Sequence, residues 1–173
     1  MSAAFQVEET AGDSLDVVMV GSNTLTRYSI RRSNDSGLAV TVYASSRKGR
    51  SCLLPGDAAY QCSPSVAATG ERFNALCMSH HGGCLHSNDY PSPKRGAVAV
   101  NSSGPGNTYS HPLFKTLAAH LGQGWPMPAQ TGISGSRPCH VFLPWGKKPQ
   151  IFQHHHSMES DAVSNAAAVL VTA

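Results

Sequence analysis

Polar side chains that bind metals or move protons follow several short apolar runs of this sequence. Asp57 comes after a run that ends in Pro-Gly, and His80 and His81 end another run and precede two glycines. His111 stands directly before a proline that opens a predicted helix. Carboxylates and neutral imidazoles are ligands that zinc and manganese accept. Since layered α/β proteins hold their sites at a rim of strand ends, the sequence predicts a metal site there.

The two adjacent histidines are predicted to have different roles. In a strand that ends at His80, Leu76 and Met78 lie on the same face as His80, because side chains alternate across a strand. His81 therefore points to the other side while the strand persists. We expect one imidazole to bind metal and its neighbour to contact substrate or solvent.

The elements that must position these groups are strands first and a helix later. Apolar and β-branched runs bounded by turn residues predict strands. The 38–43 and 51–57 strands are separated by a hydrophilic turn and predict a hairpin. This order favours a layered α/β or α+β sheet, and no glycine-rich phosphate fingerprint is present. The predicted strands are 16–21, 25–31, 38–43, 51–57, 73–79, 97–101 and 141–145, with a short helix within 58–71 and a helix over 113–121.

Composition limits the function classes. Only 13% of the 173 residues are charged, the net charge is +3, and the basic residues are scattered, so charge alone does not predict a nucleic-acid surface. The five cysteines are an odd number and follow a polar, acidic N-terminal segment. We therefore expect reduced thiols and a cytoplasmic location. We expect no membrane span, because the longest apolar runs are far shorter than the ~20 residues that a span needs.

Five segments in order carry a resemblance to a known family. The chain resembles the C-terminal part of the metallo-β-lactamase superfamily, most of all the ComEC-type branch of DNA-internalisation proteins. The resemblance covers residues 16–121. The segments are NDSGLAVTV, SCLLPGDA, ALCMSHHGG, GAVAVNSSG and NTYSHP.

The resemblance implies a fold class and a domain plan. The expected fold is α/β, one half of a metallo-β-lactamase-like αββα sandwich, with a mixed β-sheet and flanking helices. Residues 1–15 are then a leader, residues 16–145 the half-domain, and residues 146–173 a C-terminal tail or helix.

The resemblance also implies a site and a reaction. Asp57 corresponds to the carboxylate that bridges two metals, His80 and His81 to the paired histidines, and His111 to the last histidine beside the metals. Asp57 and His111 are the expected catalytic residues, and Asn107 and Tyr109 would line the substrate cavity. The implied cofactor is zinc or manganese. The implied activity is metal-assisted hydrolysis of a phosphodiester in nucleic acid or a nucleotide.

One departure from the family pattern affects every functional expectation. The H-x-H-x-D-H cluster that supplies the family's first ligands has no counterpart here, and Gly83 stands where the branch usually has Ser. The sequence fits a fragment or split protein completed by a partner chain, a degenerate relative, or a truncated frame. A half-domain would expose an apolar face, so we expect an oligomer or poor solubility.

Other interpretations of the same residues remain open. Asp57 after Gly56 is also typical of a turn. A second interpretation of the chain is a catalytically inactive interaction module that keeps the fold and binds a partner. A third interpretation is a small structural-zinc protein. Its ligands would be drawn from Cys77, His80, His81, Cys84 and His86, although a second separated ligand pair is missing. The sequence further contains a potential metal-binding run of three histidines, residues 154–156.

Overall fold

The computed structural model describes a mixed α/β fold. Its described residues are 14–19, 38–43, 50–63, 66, 70–85, 89–104, 107–132, 140–144, 148–152 and 168–171. The strands are β1 (Ser14–Met19), β2 (Leu38–Tyr43), β3 (Ser51–Leu54), β4 (Arg72–Cys77), β5 (Ser92–Asn101), β6 (Ala129–Gln130), β7 (His140–Pro144), β8 (Gln150–Phe152) and β9 (Ala168–Val171). The described helices are the 3₁₀ turns η1 (Tyr60–Cys62) and η2 (Ser79–Gly82) and the α-helix α1 (Phe114–Gly122).

A six-stranded mixed sheet forms the centre of the fold, in the order β1-β2-β3-β4-β5-β6. The first three strands are antiparallel, so the predicted hairpin of β2 and β3 is confirmed. From β3 to β6 the strands are parallel. Because parallel strands end at the same edge of a sheet, the residues that follow β3, β4 and β5 meet at one rim.

Both faces of the central sheet are covered. Cys52, Ala75 and Val100 pack against Val141 and Leu143 of β7, the middle strand of a three-stranded antiparallel sheet in the order β8-β7-β9. The second sheet therefore covers one face of the first.

The opposite face of the sheet carries the neighbouring residues of the same strands. Leu53, Leu76 and Ala99 pack there with Tyr60 and Trp125. This alternation of adjacent residues between two apolar layers is the pattern of strands buried on both faces. Trp125 lies just after α1, and its indole N–H donates to the carbonyl of Pro91 over 2.6 Å, which fixes the end of the helix against the sheet.

The predicted helix over 113–121 is confirmed, with a shift of one residue at each end. The prediction of a tail or helix for residues 146–173 is wrong for 150–152 and 168–171, which form β8 and β9 on either side of β7. The β-branched residues Val169 and Val171 favour extended backbone, and pairing with β7 outweighs the helical preference of the alanines before them.

The N-terminal boundary also differs from the prediction, because β1 begins at Ser14, inside the expected leader. The predicted strand over 25–31 and residues 1–13 lie outside the described residues. No helix in the described part of the chain has the length and apolar character needed to cross a membrane.

Candidate functional site

The predicted site residues lie in three segments at the rim where the parallel strands end. Asp57 belongs to the turn after β3, and His80 and His81 belong to η2, just beyond the end of β4. His111 precedes α1. The N–H of His80 donates to the carbonyl of Gly56 over 3.0 Å, so the first two segments are bonded to each other directly.

The backbone of the two histidines is unusual. His80 and His81 both adopt left-handed conformations, with φ of 50° and 53°. Non-glycine residues seldom adopt this region, and it is incompatible with a continuing strand. The strand alternation expected from the sequence therefore ends before His80, at Cys77.

Asp57 and His81 form a carboxylate–imidazole contact at the rim. The Oδ1 of Asp57 lies 3.5 Å from the Nε2 of His81, and the two side chains are 47% and 50% exposed. The Nδ1 of His81 contacts the carbonyl oxygen of Ser102. Because that oxygen only accepts, Nδ1 carries the hydrogen and Nε2 presents its lone pair toward Asp57 when the ring is neutral. Metal-bound histidines commonly have this arrangement.

A second cluster of rings lies next to this pair. The rings of His80 and His111 meet edge to face with centroids 5.5 Å apart, and Tyr109 lies 5.8 Å from His111. Burial lowers the pKa of His111, and the nearby His80 and His81 lower it further, whereas Asp57 raises it. The structure therefore brings all four predicted ligands into one electrostatic neighbourhood.

Two glycines allow the segment before α1 to pack on η2. We call η2 the histidine turn, because it carries His80 and His81. A Cβ at Gly82 would lie 2.6 Å from the Cβ of Pro112, and one at Gly83 would lie 2.7 Å from the Cε1 of His111. The N–H of Leu113 donates to the carbonyl of Gly82 over 2.9 Å. Gly83, which departs from the family pattern, is therefore required by the approach of the His111 ring.

Asn107 and Tyr109 differ in what they offer a substrate. The amide of Asn107 accepts from the N–H of His111 over 2.8 Å and donates to its carbonyl over 2.9 Å. Asn107 thus fixes the backbone that carries His111. Tyr109 is 76% exposed and remains accessible beside the imidazole rings.

Asn101, which is not among the site residues expected from the sequence, lies buried at the end of β5. Its amide N–H donates to Ser103 over 2.8 Å, while its Oδ1 has no hydrogen-bond partner. That oxygen is 3.0 Å from the position of a Cβ on Gly82, so the residue packs directly under the histidine turn. An Asn at the end of an apolar strand was the available sequence signal.

The implied metal requires several donor side chains around one point. Among the described residues no group of three or more His, Cys, Asp or Glu side chains is arranged to hold a metal ion. Catalytic zinc usually has three protein ligands, each about 2.0–2.2 Å from the metal. Two ligands of one tetrahedral ion are then about 3.3 Å apart, close to the Asp57–His81 separation. The described residues therefore supply two of the ligands of a tetrahedral metal site and not a complete set.

The structural-zinc arrangement places its cysteines in different surroundings. Cys77 packs at the edge of the apolar cluster around Cys52, and burial raises the pKa of its thiol to about 11. The sulfur of Cys84 is 3.1 Å from the ammonium of Lys115 instead. His86 lies outside the described residues. Among the described residues, these thiols and histidines form no group that could hold a metal ion, which disfavours the structural-zinc arrangement.

Comparison with known proteins found no relative of this chain. No family model matches the chain, and no curated protein or solved structure is significantly similar to it.

Proposed function

We propose that this chain supplies part of a metal-dependent hydrolase site of the metallo-β-lactamase type. The observation that carries the proposal is the Asp57–His81 pair, with Oδ1 and Nε2 3.5 Å apart at the carboxyl edge of parallel strands. In this proposal the mixed sheet with α1 is the C-terminal half of an αββα sandwich. The substrate is a phosphodiester in nucleic acid or a nucleotide, as the sequence resemblance implies.

The chain's own residues have distinct tasks in this proposal. A zinc or manganese ion would supply a Lewis acid when bound. Asp57 and His81 would hold it, and the carbonyl of Ser102 keeps His81 in the required tautomer. His111, with its lowered pKa, is neutral near pH 7 and can accept a proton at the rim. The remaining ligands, the counterpart of the H-x-H-x-D-H cluster, come from a partner chain or another segment.

A second candidate is an interaction module without catalysis. Phe114 is 85% exposed and Tyr109 is 76% exposed, and both flank His111. Exposed aromatic residues are enriched at protein interfaces, because they bury large areas with little loss of side-chain freedom. In this candidate the same rim binds a partner. For either candidate we place the protein in the reducing cytoplasm, as expected from the odd number of cysteines in the sequence.

Metal titration of the whole chain tests the leading proposal. We would titrate zinc and manganese calorimetrically into a background with His154, His155 and His156 changed to Gln, so that three adjacent imidazoles do not compete for the metal. Asp57→Asn and His81→Gln should each weaken binding at least about tenfold, the lower bound for disturbing a metal site.

The matched control is Asp89→Asn, which removes a carboxylate near the opposite end of β5 and should leave binding unchanged. Hydrolysis of bis(4-nitrophenyl) phosphate with added metal should disappear with Asp57→Asn if the chain alone is active. Metal that persists in both rim variants but is lost in Cys77→Ser would establish the structural-zinc protein. Absence of metal binding in the parent background would leave the interaction module.

A further inference from the structure

A buried hydrogen-bonded chain lies beneath the histidine turn. The N–H of Ser79 donates to the hydroxyl of Tyr60 over 3.0 Å, and that hydroxyl is 2.7 Å from the Nε2 of His120. The Nδ1 of His120 is in turn 2.7 Å from the carbonyl oxygen of Thr116. All four residues are at most 2% exposed, so water does not compete for these bonds.

The position of each hydrogen follows from the acceptors. The carbonyl of Thr116 only accepts, so the Nδ1 of His120 carries its hydrogen. The Nε2 of a neutral ring is then an acceptor, and the Tyr60 hydroxyl donates to it while accepting from Ser79. Every group in the chain is satisfied while His120 is neutral. A proton on Nε2 leaves the hydrogen of the Tyr60 hydroxyl without an acceptor, and the new N–H competes with the N–H of Ser79 for the hydroxyl oxygen.

Helix α1 holds both ends of the histidine turn through these contacts. His120 reaches Ser79 through Tyr60, and the hydroxyl of Thr116 donates to the carbonyl of Gly83 over 2.8 Å. Ser79 and Gly83 enclose the segment that carries His80 and His81. The backbone of this segment is left-handed at both imidazoles, a conformation that persists only where the surroundings enforce it.

We propose that Tyr60 and His120 are a buried positioning pair for the His80–His81 turn, and that protonation of His120 releases Ser79 and with it the turn. The release concerns the same turn as the proposed function. The hydrogen bonds that carry the inference need no metal, and neither does its test.

The surroundings of His120 favour its neutral form. Tyr60 faces the ring from η1, and Tyr90, in the segment before β5, meets it edge to face with centroids 4.8 Å apart. Three titratable groups lie beyond these two hydroxyl-bearing rings. Cys77 helps to raise the pKa of Tyr60, Cys84 raises that of Tyr90, and the ammonium of Lys115 lowers that of Tyr90. Burial lowers the pKa of His120, and the bond to the Thr116 carbonyl partly opposes this effect.

The pH direction follows from this lowered pKa. In the unfolded chain His120 has its ordinary pKa of 6.5, and in the folded chain its pKa is lower. The contribution of the neutral His120 ring to the free energy of unfolding is therefore fully present above pH 6.5. It is lost as the pH falls toward the pKa of the folded state. The turn should loosen in the same direction.

Amide hydrogen exchange at Ser79 tests the pair directly. We would measure its protection factor by NMR in the whole chain with EDTA present, at several values between about pH 5 and 8, where histidine titrates. Tyr60→Phe should lower the protection about tenfold, since one buried N–H loses its acceptor. Tyr90→Phe is the matched control, because it keeps a ring on His120 and leaves the Ser79 bond intact.

Titration of the unaltered protein gives a second measurement that needs no variant. With ¹⁵N-labelled histidine, His120 should show the Nδ1–H tautomer at neutral pH and a midpoint below 6.5, and the Ser79 amide signal should follow the same curve. A Ser79 signal that ignores the His120 titration would overturn the proposal. Equal protection in Tyr60→Phe and Tyr90→Phe would do the same. Neither result depends on metal binding, so each is separable from failure of the proposed function.

Discussion

His81 at the rim and His120 beneath it use their rings in the same way in opposite surroundings. Each contacts a backbone carbonyl through Nδ1, that of Ser102 for His81 and that of Thr116 for His120. Each turns Nε2 toward a second side chain, Asp57 or Tyr60. His81 is half exposed and His120 is 1% exposed. Exposure therefore separates a ring that can exchange its partner from one that holds the structure.

The largest difference between the two rings should be in stability. His120→Ala removes a buried ring between Tyr60 and Tyr90 and leaves the Tyr60 hydroxyl without an acceptor. We expect a loss of about 3–4 kcal/mol in the free energy of unfolding, from the cavity and the unsatisfied hydroxyl. Urea denaturation measures it, with His81→Ala as the exposed counterpart. Equal losses in the two variants would break the comparison.

A smaller loss of stability is expected where the His111 ring packs on Gly83, at the end of the histidine turn. Gly83→Ser places a Cβ 2.7 Å from the His111 ring, which must move. Overpacking of this kind costs about 1–3 kcal/mol in the free energy of unfolding. Gly122→Ala is the control, because a Cβ there meets nothing within 4 Å and alanine favours the helix. Thermal melts should move in opposite directions, and a harmless Gly83→Ser would mean that His111 is not held against the turn.

The smallest effect on stability should come from the rim carboxylate. Asp57→Asn removes a charge from a pair in which both side chains are about half exposed, so solvent screens the interaction. The free energy of unfolding should change by less than about 0.5 kcal/mol, while metal affinity falls as described above. The urea midpoint and the metal titration are measured on the same preparation. A large loss of stability would show that Asp57 supports the fold and is not reserved for a ligand.

Local sequence pattern was enough to predict the part of the fold that carries the rim. The β-branched run at 38–43 and the hydrophilic turn after it predicted β2, β3 and their pairing, because these signals act over a few residues. The ends of β3 and β4 then identified Asp57, His80 and His81. The strands β8 and β9 were missed, since their extended form depends on pairing with β7 and not on their own composition.

The details of the site depend on contacts that sequence spacing does not contain. Tyr60 and His120 are 60 residues apart, and nothing local in either segment indicates that they are bonded. The left-handed backbone at His80 was likewise hidden, because the run before it predicts a continuous strand. The sequence predicted that Asp57, His80, His81 and His111 converge on one metal site. In the structure Asp57 contacts His81, whereas His80 and His111 contact each other.

The conformation of the histidine turn bears on why its residues are histidines. At φ near 50° a side chain costs about 1 kcal/mol or more, and glycine would occupy both positions without that cost. Two imidazoles at this rim are therefore held in a backbone conformation that lowers the free energy of unfolding, the kind of cost that proteins carry where activity and stability conflict.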